Sequence, residues 1–181
     1  MTLEEAKRKV MIELDEAGDT YAAILENIGD YKSKLPDIIN TVQKELAMFC
    51  KPVEKETSIT IEGGYANKPS DCYVINELVQ GDKVCDFTLR GLRIYAPDGD
   101  YTIRYEKLPD DIDETTDETY EFEIDKDAQE AMIHGICAQL CINDEPELYQ
   151  TYFERYNLAI ANIQDKMQKS TKLNFVGGVR L

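Results

Sequence analysis

Leu3, Ala6, Val10, Met11, Leu14 and Ala17 recur at three- and four-residue spacing, with Glu4, Lys7, Lys9 and Glu13 on the other side. That period predicts an amphipathic helix. Thr2 and Glu5 match a capping box, in which hydroxyl and carboxylate each satisfy a free amide of the first turn. Gly18 is placed to close the helix in the left-handed conformation. A short second helix is expected over residues 21–27, ending at Gly29. A third starts near Leu35, because Pro36 disfavours helical geometry before it, and runs to about Phe49. Its apolar stripe is Leu35, Ile38, Ile39, Val42, Leu46 and Phe49, and Lys51-Pro52 ends it.

From Thr57 the period changes to two, with Ile59 and Ile61 alternating with Ser58, Thr60 and Glu62 as in a half-buried strand. Gly63-Gly64 is expected to break it. Further strands are predicted over residues 72–75, 83–89, 92–95 and 101–105, with a strong turn at Pro97-Asp98-Gly99. Short strands at this spacing suggest a small antiparallel sandwich or barrel. Residues 108–118 read as an exposed acidic connector, and 120–124 as an edge strand or an extended lead-in. Asp125 or Asp127 then caps a helix through about Ile142 that is apolar almost all round, which places it at the centre of a bundle. After a turn at Pro146, a long helix carries Tyr149, Tyr152, Phe153, Tyr156, Ala159, Ile160, Ile163 and Met167 on one face. The last residues, 171–181, read as extended and apolar. No internal repeat is read.

Charge narrows the function. Against 20 Lys and Arg stand 36 Asp and Glu, a net charge of -16 over 181 residues. Such a surface repels phosphate backbones and anionic lipid, so nucleic-acid binding and membrane-surface roles are disfavoured. No window approaches the apolar length of a membrane span, and the first residues are acidic where a signal peptide is basic. Five cysteines without a regular framework fit a reducing cytoplasm. His134, Cys137 and Cys141 share one helix face, yet a single helix cannot surround a tetrahedral ion and no Cys-x-x-Cys knuckle exists to complete a set. They are expected to fill a core, with no metal bound. Asp110, Asp111, Asp113, Glu114, Asp117 and Glu118 lack the glycine and ligand spacing of a calcium loop. Nucleophile elbows and phosphate loops are missing, so no catalytic residue and no cofactor are expected. Candidate protein contacts are Tyr149, Tyr152 and Tyr156, because aromatic residues are enriched at interfaces as well as in cores. Leu173, Phe175 and Val176 join them, as an apolar arm suited to strand addition on a neighbouring copy.

Tyr31, Leu35-Pro36-Asp37 and the Asn40, Gln43, Glu45, Leu46, Ala47 helix precede the strands, and Tyr101, Ile103, Tyr105 and Pro109 close them. Ala128, Ala131, Ala138, Gln139 and Leu140 follow, then Asp144, Tyr152 and Tyr156. This order resembles the neck, or head-to-tail connector, adaptor proteins of tailed bacteriophages and prophages, over most of residues 20–165. The resemblance implies a ring of copies below the portal that joins the capsid vertex to the tail. Helices would face the portal or the central channel, and the β part would lie outside. The cysteine-rich helix with His134 departs from that family.

The expectation is therefore an α+β protein in which residues 1–52 and 125–170 form one helical bundle. Residues 53–124 form an inserted antiparallel β subdomain with its acidic connector, and residues 171–181 form a C-terminal arm. Its expected role is that of a noncatalytic virion protein, made in the bacterial host cytoplasm. Its partners would be copies of itself and the portal and tail proteins, with DNA only as a passing channel cargo and no membrane. The alternatives are another tail or baseplate component and, more remotely, a metal-dependent enzyme.

Overall fold

The computed structural model describes residues 1–14, 33–143 and 145–176, with side chains through Lys169. It is an α+β protein with four helices among those residues and two antiparallel sheets, neither closed into a barrel. The chain divides into two compact units. Residues 1–51 and 109–181 make a helical unit, and Pro52–Leu108 makes a strand unit.

In the helical unit, α1 (Leu3–Leu14) starts at the predicted capping box. Thr2 Oγ1 accepts from the Glu5 amide at 3.2 Å, and the Glu5 carboxylate accepts from the Thr2 amide at 3.0 Å. α2 (Leu35–Phe49) begins with proline in its first turn. α3 (Lys126–Cys141) has Asp125 as its N-cap, accepting from the Asp127 amide at 3.0 Å. α4 (Pro146–Val176) is the longest helix. The other three helices pack on α3, which is why α3 buries residues on nearly every side, among them Ala128, Met132, Ile136, Cys137 and Leu140. The expected helix over residues 21–27, with Gly18 and Gly29, lies outside the described residues.

Two expectations are corrected here. The connector belongs with the helices rather than with the strands, because Ile112 is buried and α2 binds its backbone. Asn40 Nδ2 donates to the Ile112 carbonyl at 2.8 Å, and Asn40 Oδ1 accepts from the Ile112 amide at 2.9 Å. Fully buried Gln43 donates to the Asp110 carbonyl at 3.0 Å. Downstream, the Leu3 amide donates to the Tyr120 carbonyl and the Glu4 amide to Glu118, so the connector straps the start of α1. The second correction concerns the arm. Helix α4 continues through residues 171–176, so no extended strand starts at Thr171. Extending an existing helix costs far less than nucleating one, and that outweighs the β-like composition of these residues.

In the strand unit, β1 (Val53–Ile61) and β7 (Gly99–Lys107) pair antiparallel without a break, from Val53 opposite Lys107 to Ile61 opposite Gly99. β3 (Cys72–Gln80) lies on the other side of β7 with two register shifts, and β4 (Lys83–Cys85) closes that sheet in the order β1-β7-β3-β4. The second sheet is β2-β6-β5, formed by Tyr65–Asn67, Arg93–Tyr95 and Thr88–Arg90. The single strand expected over residues 83–89 is thus two, with the chain changing sheets at Asp86-Phe87. Gly63 and Gly64, at φ +65° and +83°, end β1 as expected and reverse the chain into β2. Positive φ at both central positions suits a tight hairpin and favours glycine there. Ile94 of the smaller sheet packs in one core with Ile61, Leu78, Tyr101, Ile103 and Tyr105 of the larger. At the rim of this core the Tyr105 hydroxyl donates to Asp71 at 3.0 Å, and Lys55 pairs with the other Asp71 oxygen at 2.7 Å.

Candidate interaction surfaces

The tyrosines of α4 divide by their place on the helix. Tyr152 and Tyr156, one turn apart, are buried against the other helices, which removes them from the surface contacts expected of them. The Tyr152 hydroxyl donates to the Glu13 carbonyl of α1, and Arg155 stacks its guanidinium on the same ring. Burial, with the Glu45 carboxylate adding to it, pushes the Tyr156 hydroxyl well above the ordinary phenol range. Tyr149 is half-buried and stacks on the exposed Phe153 ring, with centroids 5.5 Å apart. Of the three tyrosines, Tyr149 is the one placed to meet a partner. Leu173, Phe175 and Val176 lie on the last turns of α4, and their side chains are outside the described set. Ile12 and Leu158 are exposed apolar positions of the helical unit that the sequence reading did not single out, and Phe49, expected on the apolar stripe of α2, is exposed at its last residue instead.

The histidine and cysteine face of α3 is core material. Cys137 and Cys141 are buried, and burial pushes the Cys137 thiol far up, so it stays protonated and unreactive. Half-buried His134 has a buried Nδ1 with no hydrogen-bond partner among the described residues. No group of three or more His, Cys, Asp or Glu side chains among the described residues is arranged to hold a metal ion.

A shallow depression of about 500 Å³ lies on the larger sheet, lined by Glu54, Glu56, Glu77, Asn76, Arg104 and Tyr105, among others. Arg104 fills its electrostatic centre, bonding Glu56 at 2.6 Å and Glu77 at 3.0 Å. Glu56 and Glu77 thus share one cation, Arg104. No described helix is long and apolar enough to cross a membrane. No protein-family model matches the chain, and no curated protein matches it.

Two surface features remain that the sequence reading missed. The first is the outer face of the smaller sheet. Its pairings put Tyr65 beside Tyr95 and Thr88, and Asn67 beside Arg93 and Arg90, so these six side chains share one face. Arg93 lies over the Tyr65 ring at 4.5 Å and Arg90 over the Tyr95 ring at 5.5 Å, while the two rings are 6.0 Å apart. The second is a tandem repeat in the connector, Asp113-Glu-Thr-Thr then Asp117-Glu-Thr-Tyr. In each copy the Asp Oδ1 accepts from the amide and hydroxyl of the Thr two residues on, at 2.8 and 2.7 Å for Asp113 and at 2.8 and 2.6 Å for Asp117. These bonds hold both carboxyls below the usual carboxylate range and fix the loop locally. Two Asx turns in succession are legible as Asp-x-Thr, a signal that composition alone hides.

Proposed function

We propose that this chain is a noncatalytic structural protein of a tailed phage or prophage, an adaptor that joins the portal vertex to the tail by assembling into a ring. In this reading the four helices form one bundle, the two sheets form a sandwich inserted into it, and the assembled protein resides in the virion. The observation that carries it is the division of the chain. Helices from both ends of the sequence converge on α3, and a continuous stretch, Pro52–Leu108, folds as its own strand unit between them. That is the order on which the resemblance to neck adaptors rests. The chemistry of the surface agrees: apolar and aromatic side chains are left exposed on both units. Such groups suit contacts with other protein chains.

Sedimentation velocity of the full chain over a concentration series, with electron microscopy of the largest species, tests this reading. The expected result is a concentration-dependent shift from monomer to a closed ring. A chain that remains monomeric at the highest concentration, alone and with a portal ring added, would overturn it.

A further inference from the structure

Charge is shared unequally between the two units. Pro52–Leu108 holds ten acidic and seven basic residues, a net -3, so the helical unit carries the remaining -13 of the chain's -16. Within the strand unit Lys55 is engaged by Asp71, Arg104 by Glu56 and Glu77, and Lys68 by the Cys72 carbonyl. Arg90 and Arg93 have no carboxylate partner among the described residues and are exposed, each lying over a tyrosine ring. A guanidinium stacked on an aromatic ring keeps its N–H fork pointing outward, ready for a carboxylate. Asp98, in the turn after β6, already accepts from the Gly64 amide at 2.7 Å.

We propose that this Arg/Tyr face docks the Asp113–Glu118 connector of a second copy of the chain. The inference rests on the self-assembly reading above and names the contact that would drive it. The occupant is argued from charge complementarity. The connector presents exposed Asp113, Glu114 and Asp117, with Glu118 beside them paired to Lys7 at 2.7 Å, on a loop fixed by its own Thr hydrogen bonds, so little ordering is lost on docking. A like-to-like contact would set Arg90 and Arg93 against themselves or the connector against itself, and like charges across an interface are strongly unfavourable. A face on the strand unit meeting a loop on the helical unit of the next copy is a heterologous contact. Contacts of that kind close into rings when the rotation permits. Single-stranded nucleic acid, the other ligand that suits arginine with exposed aromatic rings, is opposed by the acidity of the rest of the chain.

Charge reversal with complementation tests the pairing on the full chain. R90E/R93E and E114K/E118K, all at exposed positions, are each expected to weaken self-association by at least about tenfold, with circular dichroism unchanged. An equimolar mixture of the two variants is expected to restore assembly, because the acidic face of one meets the basic connector of the other. Assembly of R90E/R93E equal to that of the wild type overturns the docking contact and leaves self-assembly standing. Wild-type chains that never associate overturn both. Loss in each variant without recovery in the mixture overturns the pairing of these two surfaces. Binding of a fluorescent single-stranded oligonucleotide that is abolished by R90E/R93E, while assembly is unaffected, overturns it in favour of nucleic acid.

Discussion

Gly135 of α3 faces Val42 of α2 and Tyr156 of α4, and adding one methyl group there tests how tightly the three helices pack. A Cβ at this position would lie 2.8 Å from Val42 Cγ1, and 3.0 and 3.2 Å from Cε2 and Cδ2 of Tyr156. Neither neighbour can move away freely. Val42 is a β-branched residue held to one favoured rotamer in its helix, Tyr156 is a ring packed in the core, and both are almost completely buried. In an open helix, Gly→Ala stabilises by about 1 kcal/mol. Overpacking of a tight core costs about 1–3 kcal/mol, so Gly135→Ala is expected to be net destabilising by about 1 kcal/mol. In the Val42→Ala background the nearest obstructing methyl is gone, and the same Gly135→Ala change is expected to stabilise by up to about 1 kcal/mol. Urea unfolding followed by far-UV circular dichroism gives all four free energies of this cycle. Equal stabilisation by Gly135→Ala in both backgrounds would refute the close approach of the three helices.

Three further perturbations read other parts of the chain. Asn40→Ala removes both bonds to the Ile112 peptide and is expected to cost about 2 kcal/mol, with faster hydrogen exchange at the Ile112 amide as its local signature; unchanged exchange there would contradict the clamp. Thr2→Ala breaks the capping box and is expected to cost about 1 kcal/mol, visible as a lower melting temperature. The Asp71 carboxyl is held below its ordinary value of 3.8, chiefly by the hydrogen bond from Lys55, with Tyr105 adding to it and burial opposing. A folded pKa below the unfolded one gives stability that is fully present above 3.8 and is lost as pH falls through the folded value. Asp71→Asn is therefore expected to be less stable than the wild type at neutral pH and to show a flatter decline below about pH 4. Parallel acid limbs for the two proteins would contradict the assignment.

What could be read in the sequence followed local chemistry. The α1 cap is written in Thr2 and Glu5, the start of α2 in Pro36, and the β7 alternation in Tyr101, Ile103 and Tyr105, since each of these signals acts within a few residues. The misses depended on distant partners. Residues 109–124 carry exposed, acidic composition, and nothing local says that Asn40 and Gln43 bind their backbone from seventy residues away. Tyr152 and Tyr156 share a face with Tyr149, and only the packing of α1 and α3 separates buried ring from exposed one. Gly63-Gly64 ends β1 where the glycine pair is written, and what local sequence left open was that the chain reverses there into β2. The Arg90/Arg93 face could not be seen at all until pairing of β5 with β6 and of β6 with β2 placed residues from three short strands on one side.

Native mass spectrometry of the purified full chain, over a range of protein concentrations, measures the central claim most directly. The account predicts one dominant oligomer of fixed copy number in equilibrium with monomer, as a closed ring requires. A monomer at every concentration, alone and with a portal ring added, or an open-ended ladder of species with no preferred copy number, would contradict it.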